Sequence, residues 1–360
     1  MKTRPLIIPI FIPQEGCRHR CVYCDQPTIT GASQAPWNRH SIRQYVQRYL
    51  TPQQHRYPVQ LAFYGGSFTL LSEARQRLLL ESVQEFLQQG KVHSLRLSTR
   101  PDGIEDNNLR FLQIMGVNTI ELGAQSLNDR VLRASARGHS SKETHEATGR
   151  LKKHGFEVGL QLMPGLPGDN RETFLKTVEK SIALAPSFVR IYPTVVLSST
   201  PLERLLRSGR YKALSLKEAV DWCKASKKQF DSASIPVIRM GLQPTSTLEE
   251  PGRIVAGPYH PALGQLVNSA IWHEKISPAL RKASLKSARL VIHAPSHQLS
   301  DIRGHHNANI NGWLKELKLT SVETVASSEI NPGEFRVTAQ RRDGDRGQRS
   351  EVGGQRTEGR

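Results

Sequence analysis

Cysteine is scarce in this sequence: four residues in 360, three of them crowded into the eight positions from Cys17 to Cys24. That distribution excludes a secreted disulfide framework and fits a reducing compartment, so we expect a cytoplasmic protein. Long apolar runs are missing as well. The run from Leu6 to Ile12 is short and interrupted by Pro9, too brief for a signal-peptide core or a membrane span, and no transmembrane segment is found. Acidic residues are thin. There are 32 against 50 Lys and Arg, a formal net charge of +18, and none lies between Gln26 and Ser72, where Arg39, Arg43, Arg48 and Arg56 stand. The excess concentrates polyanions around the protein and makes nucleic acid a reasonable partner, although this stretch reads equally as a solvated helix face. The Arg- and Gly-rich residues 341–360 hold six arginines against four carboxylates, so most of the excess lies in the body and the tail reads as disordered.

What is present is a recurrence of short apolar runs with helix-period segments between them, the sequence form of repeated βα units. Strands are predicted at Leu6–Ile12, Val59–Tyr64, Ser94–Ser98, Thr119–Gly123, Val158–Met163 and Phe188–Tyr192, with a weaker seventh at Pro236–Met240. A helix is expected after Ser41. Capping-box spacing pairs Ser140 with Glu143, Asp169 with Glu172 and Ser215 with Glu218, and Gly90, Gly116 and Gly155 stand where helices should end. Strands that look buried on both faces, each followed by a helix, imply a parallel sheet. Six such units predict an α/β fold of partial (β/α)6 TIM-like barrel type, with a doubly wound sheet as the alternative. The repeat is lost after about Gly257. Residues 1–257 are therefore read as the barrel domain, 258–340 as a small C-terminal α+β module (Ala288–His293, Leu299–Leu317, Glu334–Ala339) and 341–360 as the tail.

The thiols of Cys17, Cys21 and Cys24 directly follow the first predicted strand, on the rim where a βα barrel carries its function. Three thiolates in C-x3-C-x2-C spacing can ligate three irons of a cubane cluster and leave the fourth open, whereas closed clusters use four. Arg18 and Arg20 would help keep the thiols ionised. A zinc knuckle completed by His19 is the competing reading, weakened by how little loop would wrap a tetrahedral ion. Cys223, within the helical pattern after Ser215, reads as a core or surface thiol.

This spacing, with Tyr23 before the last cysteine, resembles the radical S-adenosylmethionine (SAM) superfamily, in which the open iron binds the methionine amino and carboxyl groups of SAM. An electron from the cluster then yields a 5′-deoxyadenosyl radical that abstracts hydrogen from substrate. The run Tyr64-Gly65-Gly66-Ser67 is similar to the superfamily's glycine motif, whose backbone contacts the cofactor. Ser98 to Asp102, Glu121 to Ser126, Arg137 to Ser140, Met163 to Gly168, and Tyr192 to Thr194 followed by Ser208 to Lys212 resemble the Elongator catalytic subunit branch over roughly residues 6–245.

The resemblance implies cluster ligation by Cys17, Cys21 and Cys24. It implies SAM contacts from Tyr23, Gly65, Gly66, Ser67, Arg100, Glu121, Gln125, Ser126, Arg137 and Met163, with Gln125 and Tyr192 on the catalytic side. Arg137 and His139 are expected to reach cofactor carboxylate or substrate, and Pro164 and Pro167 to stiffen a loop near the adenosine. Arg100 with Asp102 reads otherwise as a surface ion pair. Implied cofactors are a 4Fe-4S cluster and S-adenosyl-L-methionine, and implied partners are an RNA (tRNA) substrate and an electron donor such as a flavodoxin or ferredoxin. The chain departs from the Elongator branch in two ways: its cysteine loop is shorter, and no glycine-rich pyrophosphate loop of an acetyltransferase follows Gly257. The wobble-uridine product is therefore not carried over. An oxygen-independent coproporphyrinogen oxidase-like enzyme and a zinc-dependent nucleic-acid binding protein are the alternatives.

Overall fold

Among the described residues, eight strands occupy the first two-thirds of the chain: β1 (Leu6–Phe11), β2 (Val59–Tyr64), β3 (Ser94–Thr99), β4 (Val117–Gln125), β5 (Glu157–Leu162), β6 (Phe188–Ile191), β7 (Val196–Leu197) and β8 (Val237–Met240). All but β7 join one parallel sheet in the order β1-β2-β3-β4-β5-β6-β8. The computed structural model describes residues 5–31, 37–50 and 57–339; Arg56 and the tail at 341–360 lie outside them. Because the strand order never reverses, the sheet has no switch point of the doubly wound kind and curls instead into a half-barrel.

The strands form where β-branched and apolar residues alternate with residues of another kind. Leu61, Phe63, Leu95, Leu97, Ile120, Leu122, Val158, Leu160, Val189 and Ile191 are at most 1% exposed. Side chains alternate across a strand, so these residues share one face and pack beneath the helices. Each contributes about 1.5–3 kcal/mol of burial. Many of the alternate positions are polar, among them Gln60, Ser94, Arg96, Ser98, Thr119, Glu121, Gln161 and Arg190, with apolar exceptions such as Ala62 and Phe188. Apolar burial on both faces was expected, and the concave face departs from it. A lumen lined this way is shaped for a ligand and not for closure by packed side chains.

The helices end as their capping residues dictate. Ser140 and Ser215 close capping boxes with Glu143 and Glu218. Two starts differ from expectation. Asn38 caps the helix Arg39–Tyr49, with Ser41 as its third residue, and Asn170 caps the helix Arg171–Ala183 in place of Asp169. In both cases an Asn in extended conformation immediately before the first turn offers its side-chain oxygen to the orphan N–H groups. Arg39 pairs with Glu81 and Arg43 with Glu85 at 3.1 Å, all substantially exposed, so these arginines belong to a solvated, ion-paired helix face.

The chain divides at Pro261/Ala262 into two compact units. In the first, β7 pairs antiparallel with β9 (Ile254–Ala256). The second begins with the helix Leu263–Ser284 and contains β10 (Arg289–Ala294), β11 (Ser321–Ala326) and β12 (Arg336–Ala339). There β10 is central, parallel to β11 and antiparallel to β12, over a core that includes Trp272, Ile276, Ile292 and Trp313. The helix expected over Leu299–Leu317 is broken at Gly304 into Leu299–Arg303 and Ala308–Glu316, with His306 and Asn307 both at positive φ. Among the described residues no helix is long and apolar enough to cross a membrane.

Candidate functional site

The loop from Pro13 to Cys24 leaves β1 at the C-terminal rim of the sheet and is held down by backbone bonds. Gln14 N–H donates to the Gly65 carbonyl at 2.9 Å and Ser67 N–H to the Glu15 carbonyl at 2.8 Å. This pairing requires glycine at position 66, where a Cβ would stand 2.5 and 2.6 Å from the carbonyl oxygens of Glu15 and Ile12. Cys17 Sγ lies 3.3 Å from Ser67 Oγ. At the loop's far end Val22 N–H donates to the Ser135 carbonyl, and the His19 ring packs on Gly138, 2.5 Å from where a Cβ would be.

The three cysteines and Tyr23 line one cavity of about 860 Å³. All three thiols are free, Cys21 buried and Cys17 exposed. Burial, then the neighbouring Cys21 and Cys17, push the Cys24 thiol up to about 12, and Arg137 opposes that rise. Arg137 Nη1 donates to Cys21 Sγ at 3.2 Å and Nη2 to the Gly123 carbonyl at 2.6 Å. The cation touching the thiols is thus Arg137, while Arg18 and Arg20, assigned that part from sequence, are exposed. Among the described residues no three His, Cys, Asp or Glu side chains converge as ligands of a single ion. Thiolates of a cubane each hold a different iron and need not converge on one point.

Below the cysteines lies a charged network. Glu121, at the centre of β4, accepts from Arg96 Nη1 at 2.7 Å and from the Tyr64 hydroxyl at 3.0 Å, and its other oxygen lies 3.1 Å from Arg190 Nε. Arg190 also donates to the hydroxyls of Tyr64 at 2.8 Å and Tyr192 at 3.2 Å. Burial, then the Glu121 carboxylate, push the Tyr64 phenol above its ordinary value. Gln125 ends β4 at φ 66°, an uncommon conformation for a side-chain-bearing residue, and accepts from Gln161 Nε2 at 3.1 Å.

Of the residues singled out from sequence, the cavity wall includes Cys17, Cys21, Cys24, Tyr23, Gly65, Gly66, Ser67, Arg100, Glu121, Gln125, Arg137, Met163 and Tyr192. Ser126 lies behind it, bonded to Thr177 Oγ1 and to the Asn128 N–H. His139 is also off the wall; burial, then Arg137 and Arg100, hold its pKa down at about 3, so the ring is neutral. Pro164 and Pro167 are buried away from the cavity, with Met163 reaching it from their loop. Arg100 is no surface partner of Asp102: it is 2% exposed and donates to both Asp102 and the Arg137 carbonyl. Cys223 is fully buried, its thiol pushed up to about 12 by burial, and is a core residue. Gln161, Arg190 and Arg239 also line the cavity and escaped the sequence reading, as did the side chain of Tyr64, which was read only as part of the glycine motif. Their signal was available as polar residues at every second position of strands expected to be apolar.

The residues fit the groups that the cysteine spacing implies. Three thiols open onto a cavity large enough for a ligand, and the buried Tyr23 ring lies on its wall beside them. A half-barrel with three rim cysteines defines a radical-enzyme class of site. Residues 11–180 match the radical SAM superfamily and residues 186–273 the radical SAM C-terminal domain, and the chain belongs to this superfamily. It is 29% identical over 180 residues to a tRNA uridine(34) acetyltransferase of Methanocaldococcus infernus, covering 46% of this chain and 34% of that protein. It is 27% identical over 194 residues to the heme chaperone HemW of Lactococcus lactis, covering 54% of this chain and 50% of that one. The chain thus spans a third to a half of these relatives' length. The solved structure of M. infernus Elp3 lacking residues 1–46 shares the fold, with a TM-score of 0.58 at 22% identity over 77% of this chain and 64% of that one.

Proposed function

We propose that this protein binds a 4Fe-4S cluster through Cys17, Cys21 and Cys24, cleaves S-adenosylmethionine reductively, and uses the radical to modify an RNA or another anionic substrate. When bound, the cluster supplies the electron that releases the 5′-deoxyadenosyl radical. The chain's own residues have separable parts. Arg137 holds a positive charge on the Cys21 sulfur. Gly65, Gly66 and Ser67 bring the turn after β2 against the cysteine loop. Gln125 and Tyr192 present polar groups to the reacting side, and Arg190 fixes the Tyr192 hydroxyl. Arg100, Met163 and Tyr23 complete the wall around the cofactor. An external one-electron donor, of the flavodoxin or ferredoxin kind, is required.

The observation that carries the anionic-substrate reading is the cavity's charge: Arg18, Arg20, Arg100, Arg137, Arg190 and Arg239 line it, with Glu121 as the one carboxylate among the lining residues. The archaeal relative, a tRNA uridine(34) acetyltransferase, directs the reading toward RNA. The test is deletion of this protein from its source followed by mass spectrometry of tRNA nucleosides. A nucleoside that changes, and is restored by the wild-type copy but not by C21A, supports RNA. An unchanged profile with an accumulating porphyrinogen moves the assignment to the coproporphyrinogen oxidase-like alternative.

A further inference from the structure

Two arginines stand side by side on the concave face. Arg190 of β6 and Arg239 of β8 are register partners on adjacent parallel strands, and both line the cavity. Like charges placed opposite one another across strands are destabilising, and desolvating a guanidinium adds to that cost. For Arg190 the compensation is visible in the Glu121 carboxylate and the hydroxyls of Tyr64 and Tyr192. For Arg239 it is not. Its Nε donates to the Gly241 carbonyl at 3.3 Å, and among the described residues no carboxylate pairs with it. The rest of the Arg239 fork is therefore left to a cavity whose one lining carboxylate, Glu121, is already taken up by Arg96 and Arg190.

We propose that Arg239 is the substrate-side anion receptor of this cavity, binding a phosphate or carboxylate of the substrate through its guanidinium fork, with Arg190 adding field and not contact. This rests on the reading that the cavity holds an anionic substrate, and it names the residue that selects it. Arginine suits the task because its planar donors match two oxygens of one anion, which a lysine cannot do.

The test uses the full chain, cluster-loaded and saturated with S-adenosylmethionine, titrated calorimetrically at fixed ionic strength with inorganic phosphate, uridine 5′-monophosphate, uridine and succinate. Saturable binding is expected for a phosphate probe or for succinate, and which of them binds identifies the anion. Uridine, without the anion, should bind at least about tenfold more weakly than its monophosphate, as loss of a charge-assisted contact implies. R239Q should weaken the anionic probe at least about tenfold and R239K by less, while R253A, an exposed residue paired with Glu250, should bind as wild type does. Far-ultraviolet dichroism confirms that each variant is folded, and R239K keeps the charge should R239Q fail to fold. Wild-type affinity in folded R239Q overturns the proposal. So does a parallel tenfold loss of S-adenosylmethionine affinity, which would assign Arg239 to the cofactor. Arg239-dependent phosphate binding with no tRNA bound or modified would sink the RNA reading and leave the anion site standing. Unchanged tRNA affinity in R239Q would remove the site and leave the RNA reading intact.

Discussion

Replacing Glu121 by glutamine keeps the shape of the side chain and removes the charge at the hub of the lumen. Glu121, Arg96 and Arg190 have side chains only 4%, 8% and 16% exposed. The glutamine oxygen can still accept from Arg96, but its amide nitrogen then faces Arg190 Nε, donor against donor. Removing one member of a buried ion pair costs about 3–5 kcal/mol because the partner charge stays buried. Arg190 keeps the Tyr64 and Tyr192 hydroxyls and some water, so the lower end, about 3 kcal/mol, is expected. That corresponds to roughly a hundredfold faster exchange of amides that open with the sheet. The assay is hydrogen exchange by mass spectrometry on the full chain, read on peptides covering β3 and β6. Replacing Arg96 by methionine in the same chain should recover part of the loss, since the two sites share one contact. A change below about 1 kcal/mol, or strict additivity with R96M, would refute the reading of Glu121 as the lumen's structural counter-charge.

Gly138 stands at φ +73° with the His19 ring where a Cβ would go, so G138A should cost about 1–3 kcal/mol and displace the cysteine loop. Thermal unfolding and iron per chain after anaerobic reconstitution check this, and a wild-type iron content would contradict it. Asp169 accepts from the N–H groups of Gly165 and Asn170 at 3.1 and 3.0 Å, yet burial raises its pKa from 3.8 to about 7. A carboxyl with a raised folded-state pKa contributes stability that is full below about 4 and is lost as pH rises through about 7. Thermal unfolding of the wild type should therefore weaken from pH 5 to pH 8 by about 2 kcal/mol more than that of D169N, since the partly exposed carboxylate keeps some water. Equal pH slopes in the two proteins would exclude the effect.

The main sheet was legible because its strands are short β-branched runs bounded by Gly and Pro, and even the weak candidate at Pro236 proved to be β8, the edge that carries Arg239. Strand β11 was missed because Glu323 interrupts its apolar pattern and its end is exposed. The helix Leu263–Ser284 was missed because apolar residues surround it on several faces and Pro278 sits inside it. The cysteine loop could be read directly, since its chemistry dictates residue type and spacing. Its electrostatics could not. The contact from Arg137 to Cys21 spans 116 positions, and no local pattern distinguishes it from the nearer but exposed Arg18 and Arg20. Ser126 misled for a related reason: the positive φ at Gln125 turns the chain, and Ser126 ends up behind the cavity wall.

The measurement that bears most directly on the account is anaerobic reconstitution of the purified chain with iron and sulfide, followed by dithionite and S-adenosylmethionine. Wild-type protein should hold a cluster absorbing broadly near about 400 nm and release 5′-deoxyadenosine, and C17A, C21A and C24A should each lose that product. Protein that takes up stoichiometric zinc and no iron, or cysteine variants that still form 5′-deoxyadenosine, would contradict it.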